Sequence, residues 1–256
     1  MSRALAPSRR WWSEAYRAGL DLLFPRRCVA CNDDLLAHDA DAASISICSP
    51  CQRKLELIDW PVCSRCAAPV PATGGVTLDC NHCRGDKLRF QRTLALGSYE
   101  GLLRQLVMRT KTDRNGVAAN SLMELAWRRF ESQLAELDID IVTAVPMHRW
   151  KRWQRGVNGP LIMARRIAER LHVPCWGEMV RLVRNVPPQV GLSRPARFRN
   201  LAGEMVVGPS YHLGAARVLI VDDILTTGAT CSEAARVLLR AGAAEVTVLV
   251  PARTPA

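Results

Sequence analysis

The sequence predicts an α/β body, a mostly parallel sheet covered by helices, behind a small module organised by cysteines. Three observations carry that prediction. Eight of the ten cysteines fall between residues 28 and 83 as four Cys-x-x-Cys pairs. Beyond about residue 90, short apolar runs alternate with stretches of helical periodicity, the pattern of parallel strands joined by crossover helices. The chain has 256 residues, 48% of them hydrophobic, enough for one ordinary core plus a smaller module. The expected division is 1–25, 26–88 and 89–256.

The first segment, Trp11 to Phe24, mixes apolar and charged residues at roughly helical spacing and reads as an amphipathic helix packed on the body. It lacks the apolar core of a signal peptide, and no apolar run has the length of a membrane span. A cytoplasmic protein is expected.

The cysteine pairs are Cys28/Cys31, Cys48/Cys51, Cys63/Cys66 and Cys80/Cys83. A Cys-x-x-Cys turn brings two thiolates close enough to share a tetrahedral ion, and two such turns complete a four-sulfur site. The spacers of 16 and 13 residues make sequential pairing give two compact zinc ribbons, 28–51 and 63–83. A cross-braced pairing, 28/31 with 63/66, is also open. Disulfides suit exported proteins, a thioredoxin-like motif needs one pair rather than four, and iron–sulfur ligation uses the same thiolates. Zinc is the favoured reading, and its role is structural, because four-cysteine sets leave no open coordination position. His82 can stand in for a neighbouring cysteine only if one is spared. Cys175 and Cys231 read as small apolar filler.

In the body, Arg92–Tyr99 reads as a strand, Gly101–Met108 and the region from Leu122 to Leu137 as helices, and Ile139–Val145 as a strand ending at Pro146. Leu161–Leu171 is an amphipathic helix, Arg217–Val221 an almost purely apolar strand, Ser232–Arg240 a helix and Glu245–Val250 a last strand. Residues 185–203, with Pro187-Pro188 and several basic residues, read as a long mobile loop of the kind that often serves function. Ligands of such sheets bind beyond the carboxyl ends of the strands. That draws notice to Val218-Leu-Ile-Val-Asp-Asp-Ile-Leu-Thr-Thr-Gly-Ala-Thr230.

In that stretch two carboxylates end a buried strand, and hydroxyls with a glycine precede a helix. The helix start favours an anion, Gly228 permits close approach, and Thr226, Thr227 and Thr230 add donors, which together make a phosphate cradle. Asp222 and Asp223 would repel that phosphate head-on, but suit the hydroxyls of a sugar carrying it, or Mg²⁺. The bland alternatives are a solvated turn and a Thr226 helix cap. Walker A and dinucleotide fingerprints are absent. Lys plus Arg number 35 against 24 Asp plus Glu, a formal charge of +11, which fits anionic partners without choosing among them.

The 13-residue stretch closely resembles the signature of type I phosphoribosyltransferases, which bind 5-phosphoribosyl-1-pyrophosphate (PRPP). Over roughly residues 20–253 the chain is similar to ComF-family proteins, a group associated with natural competence and use of external DNA. The likeness includes Leu22-Leu-Phe-Pro25 before the ribbons, and Val145-Pro-Met-His-Arg149 leading to Arg155-Gly-Val-Asn158. It continues through Pro188-Gln-Val-Gly-Leu-Ser193 to Arg197-Phe-Arg-Asn200. The family commonly has Arg-Gly-Phe-Asn-Gln where this chain has Arg155-Gly-Val-Asn-Gly159, so a ligand role for that amide is in doubt.

The resemblance implies a type I phosphoribosyltransferase fold behind a double zinc ribbon. It implies that Asp222 and Asp223 hold the ribose hydroxyls, with Thr226, Thr227, Gly228, Ala229 and Thr230 around the 5′-phosphate. Arg149, Lys151, Arg152 and Arg155 would face the pyrophosphate, Arg197 would reach over it from a flexible hood at 188–200, and Lys111 would contact ligand phosphates. The run 149–155 also reads as a solvated or nucleic-acid-binding face, and Trp150 and Trp153 as packing residues. The implied function is displacement of pyrophosphate from PRPP, with Mg²⁺, by an unidentified acceptor. A second expectation is a competence protein that handles single-stranded DNA and uses the fold as a PRPP sensor. A third is an adaptor whose ribbons dock a DNA-uptake protein.

Overall fold

A computed structural model describes residues 26–35, 45–71, 80–86, 88–147, 156–184, 186, 189 and 191–255. The helix expected over 11–24, the basic run 149–155 with Trp150 and Trp153, His148, and Pro187-Pro188 lie outside the described residues.

A short helix α1 (Ser49–Arg53) follows the second cysteine pair, and the body then runs β1 (Arg92–Ser98), α2 (Gly101–Arg109), α3 (Val117–Glu136), β2 (Ile141–Ala144) and α4 (Gly159–Leu171). Next come β3 (Val180–Leu182), α5 (Arg194–Leu201), β4 (Met205–Val207), β5 (Arg217–Val221), β6 (Ile224–Leu225), α6 (Ala229–Arg240) and β7 (Glu245–Arg253). The main sheet has the order β1-β7-β5-β2, parallel throughout, with β6 pairing the far end of β7. β3 and β4 form a separate antiparallel pair.

Burial of both sheet faces explains why β5 is apolar at every position rather than alternating. Val218 and Ile220 point into one core with Ala234, Ala235 and Leu238 of α6. Leu219 and Val221 point into the other, with Leu106 of α2, Leu122 and Met123 of α3, and Met163 and Ile167 of α4. The expected architecture is present: a parallel sheet between helices, preceded by a small module built on the cysteine pairs.

The ribbons straddle the edge strand β1. Cys28, Cys48, Cys51, Ile45 and Ile47 join the α2–α3–α4 core, together with Leu94 and Leu96 of β1. Cys63, Cys66, Cys80 and Cys83 join the α6 core, with Ala95 of β1. Backbone bonds stitch the module to the body, Ile58 N–H to Leu96 O at 3.1 Å and Thr93 N–H to Ser64 O at 2.9 Å. Arg253, only 3% exposed, donates through Nε to Cys66 O at 2.7 Å. A buried guanidinium satisfied by backbone carbonyls ties the last strand to the second ribbon.

Two expectations need correction. The supposed loop 185–203 contains α5 and is flanked by the β3–β4 pair. The helix escapes periodicity because Arg-Pro-Ala-Arg-Phe-Arg-Asn-Leu buries only Leu201 fully, and three-residue strands leave almost no alternation to read. The last helix begins at Ala229 rather than Ser232, because Gly228 takes the left-handed conformation, φ 79°, as its N-cap. Ala229 and Thr230 therefore belong to its first turn.

Candidate functional site

β5 delivers Asp222 and Asp223 to the carboxyl edge of the sheet, next to the central pairing with β7. The Asp222 backbone N–H still bonds Leu249 O at 3.2 Å, so its position is set by the sheet. The Asp223 N–H donates to Asp222 Oδ1 at 2.8 Å. Burial, then the Asp223 charge, holds the Asp222 carboxyl well above the usual carboxylate range, against that backbone donor. Lys111, at the end of the α2 turn, pairs through Nζ with Asp223 Oδ2 at 3.2 Å. The structure thus brings Lys111 to the acidic pair.

Beyond the acids, β6 turns the chain into the segment Thr226–Gly228. Thr227 Oγ1 accepts from the Ala229 N–H at 3.3 Å, and the Ser232 N–H bonds Gly228 O at 2.8 Å to close the first helical turn. A helix start leaves its first N–H groups without carbonyls a turn earlier, so this corner presents donors and a positive dipole end. Gly228 is demanded twice. Its φ is left-handed, and a Cβ there would meet Leu88 Cδ2 at 3.1 Å and Phe90 Cζ at 3.3 Å.

Gln189 and α5 lie over this corner. Arg197, half-buried, donates through Nη1 to Thr226 Oγ1 at 3.0 Å and through Nε to Leu192 O at 3.1 Å. Gln189 Nε2 donates to Thr230 Oγ1 at 3.3 Å. Asp222, Asp223, Lys111, Arg197 and residues 226–230 therefore meet at one edge of the sheet. Arg149, Lys151 and Arg155 lie outside the described residues. Beside the site, Asn158 caps α4 by accepting from the Leu161 N–H at 3.3 Å. A cavity of about 580 Å³ runs from Pro146, Met147 and Asn158 to Arg181 and Arg184.

The cysteines form two sets, Cys28/Cys31/Cys48/Cys51 and Cys63/Cys66/Cys80/Cys83, each with its sulfurs within 4.8 Å of one another. The pairing is sequential, not cross-braced. Burial opposes ionisation of Cys28, yet the N–H groups of Cys31, Cys48 and Ala30 outweigh it and bring the thiol down to about 7. Burial raises Cys51 and Cys66, and pushes Cys83 up to about 11 against the Cys80 N–H. Clustered sulfurs resist ionising together without a counter-charge. A divalent ion with sulfur affinity supplies that charge, and N–H donors to sulfur, such as Cys48 N–H to Cys28 Sγ at 3.3 Å, suit a bound thiolate. These are two zinc-binding sites of four cysteines each. His82 stands outside them and faces Arg194 of α5. Burial, then the charges of Arg253 and Arg194, lowers its pKa against the pull of Asp86.

Residues 19–84 match the double zinc ribbon domain family. Over most of the chain, the DNA utilization protein YhgH of Escherichia coli (strain K12) is 30% identical across 215 residues, 81% of this chain and 90% of that protein. The chain belongs to the ComF family. Competence protein F of Haemophilus influenzae is 25% identical over 229 residues, covering 88% of this chain and 96% of its own. A solved adenine phosphoribosyltransferase aligns at 17% identity with a TM-score of 0.36, over 54% of this chain and 73% of that one.

In this ComF chain position 159, for which the resemblance implies Gln, is a glycine at the start of α4. A Cβ at Gly159 would approach Thr110 O to 3.0 Å and Thr110 Oγ1 to 3.1 Å, so α4 starts in close contact with the α2 turn. Cys231 is the residue that reading the sequence missed. It is fully buried, and its thiol donates to Asp222 Oδ2 at 3.7 Å. Burial and the Asp222 charge raise it well above the ordinary thiol range, which keeps it a donor. Its position three residues into a helix that starts beside the acids was the available signal.

Proposed function

We propose that the Asp222–Thr230 edge binds PRPP with Mg²⁺, and that the protein transfers the phosphoribosyl group to an acceptor during use of DNA taken up from outside. The observation that carries this reading is the meeting, on one sheet edge, of an acidic pair, a helix start with threonine hydroxyls, and a hood arginine on Thr226. A ribose with a 5′-phosphate and a 1-pyrophosphate asks for those three environments side by side. The names of the relatives support the DNA context.

In this reading Asp222 and Asp223 accept hydrogen bonds from the ribose 2′- and 3′-hydroxyls, and the first turn of α6 with Thr226, Thr227 and Thr230 donates to the 5′-phosphate. The Thr227 hydroxyl is oriented by its bond from Ala229 N–H. Arg197 and the basic run at 149–155 neutralise the pyrophosphate. The bond from ribose C1 to pyrophosphate oxygen breaks, its electron pair leaving with pyrophosphate. The acceptor's lone pair forms the new bond to C1, and its proton is released. Charge that develops on the leaving group is met by donors already in place. Two half-buried carboxylates side by side fit a divalent cation, and Mg²⁺ bound there with PRPP would add charge neutralisation.

The test is the double variant Asp222→Asn/Asp223→Asn. Calorimetric PRPP binding should vanish while circular dichroism and zinc content stay unchanged. Unaltered affinity in that variant rejects the assignment.

A second reading, single-stranded DNA handling with PRPP as a signal, is favoured by the net charge of +11 and by one surface. Trp60, 43% exposed, shares a cleft with Arg92 and Arg129 where the ribbons meet β1, a stacking face beside cations. Gel shifts at low salt that weaken steeply as salt rises would favour it. No shift of a single strand at low salt rejects it.

A further inference from the structure

Of the three arginines in α5, Arg194 and Arg197 are three positions apart, which places them on neighbouring parts of one helix face. Arg197 is engaged at the phosphate cradle. Arg194 turns to the second zinc ribbon instead. Its Nε donates to Asp86 Oδ2 at 2.9 Å, its Nη2 reaches the same oxygen, and its Nη1 meets His82 Nε2 at 2.8 Å. A guanidinium can only donate, so His82 must accept at Nε2, as the neutral imidazole with its proton on Nδ1.

Both partners of Arg194 belong to the metal-bound turn. His82 lies between the ligands Cys80 and Cys83, and Asp86 is fixed by its N–H to Cys83 O at 2.9 Å, beside Arg84 N–H to Cys80 O at 2.9 Å. The ion pair is well covered, the side chains 30% and 14% exposed. At the other end of α5, Leu201 is buried and the Gly203 N–H bonds Glu233 Oε1 at 2.8 Å. At the N-terminal end Ser193 offers no side-chain cap, and Arg194 supplies the attachment. The helix is pinned to the body behind and to the zinc ribbon in front.

We infer that the second zinc ribbon positions the hood: Arg194, clasped by His82 and Asp86 on the metal-bound turn, sets α5 so that Arg197 rests on Thr226. Arg194 is a positioning residue that acts through Arg197. A hood ordered in advance spares the ligand the cost of immobilising it. The clasp itself is independent of the ligand's identity, whereas its effect on affinity rests on the PRPP reading.

Amide hydrogen exchange on the full-length, zinc-loaded protein tests the clasp without ligand. In Arg194→Ala, the amides of Arg197 in α5 and of its C-cap Ala202 should exchange about tenfold faster or more, with zinc content unchanged, as expected of a helix released into local opening. Arg194→Lys, which keeps the charge toward Asp86 but loses the fork, should recover part of the protection. Unchanged α5 exchange in Arg194→Ala overturns the inference. Titration with PRPP then tests the route. Arg194→Ala should weaken binding about tenfold, the scale of a charge-assisted hydrogen bond. The same change made on Arg197→Ala should weaken it by less than about twofold, because residues acting as one unit are not additive. Losses that multiply contradict action through Arg197. If the wild type binds no PRPP, the reading of the cradle fails, and the exchange result still decides the clasp.

Discussion

The two zinc ribbons share a ligand set and a similar span, yet they serve different sides of the molecule. The first lies on the face of α2 and α3, where the Ser46 N–H bonds Ser121 Oγ at 2.9 Å and Arg109 reaches Val29 O. One of its ligands, Cys31, is exposed. The second has all four cysteines buried. It receives Arg253 from β7, clasps Arg194 of the hood, and leads into Leu88 and Phe90, which pack against Gly228. The first ribbon closes a core, and the second walls the Asp222–Thr230 edge. The same metal motif takes its role from the sheet face it meets.

The sharpest way to break that contrast is to remove each metal in turn. Cys63→Ser/Cys83→Ser should lose one zinc, hood protection and PRPP binding together, since a structural zinc contributes on the order of 10 kcal/mol. Cys28→Ser/Cys31→Ser should also lose one zinc and melt earlier, but keep PRPP affinity within about threefold, because the faces are packed separately. Metal analysis, thermal melts and calorimetry on both variants read this directly, and equal loss of binding in the two would erase the distinction.

Gly228→Ala should cost roughly 2–3 kcal/mol by thermal melt, combining a left-handed backbone with contact against Leu88 and Phe90. Gly203→Ala, at φ 80° with open space around it, should cost only the backbone part, about 1 kcal/mol. Equal losses would mean that the segment after the second ribbon does not press on the cradle.

Asp222→Asn separates stability from binding. Because the folded carboxyl titrates above its unfolded value, its neutral form is compatible with the fold at low pH, and ionisation destabilises the native state as pH rises from the usual carboxylate range through the raised value. The variant should therefore melt higher than wild type at neutral pH, with the gap closing as pH falls toward the unfolded carboxylate range, and PRPP affinity should drop. A lower melting temperature at neutral pH would show that the negative charge is stabilising.

The smallest effect belongs to the first ribbon's own ion pair, Arg27 with Asp34 at 3.4 Å, both more than half exposed. Arg27→Ala should change stability by less than about 1 kcal/mol and leave hood exchange alone, in contrast to Arg194→Ala.

Much of this arrangement was legible in the chain. The strand Arg217–Val221 has the predicted bounds, because burial on both faces makes it continuously apolar. The cysteine sets followed from a spacing with few other uses. Other features depended on distance in sequence. The clasp joins residues 108 and 112 positions apart, and no local pattern marks Asp86 as the partner of Arg194. α5 was hidden by its charge. Nothing local to Gly159 shows that Thr110 lies against it. Cys231 passed for filler because a buried thiol shows its hydrogen-bond partner only in three dimensions.

The central claim is that the Asp222–Thr230 edge is a PRPP site. Calorimetric titration of PRPP into zinc-loaded protein, with and without Mg²⁺, tests it most directly. Saturable, magnesium-dependent binding at one site per chain is the predicted result. Absence of heat and of competition by pyrophosphate, with the protein folded and both zincs retained, would contradict it.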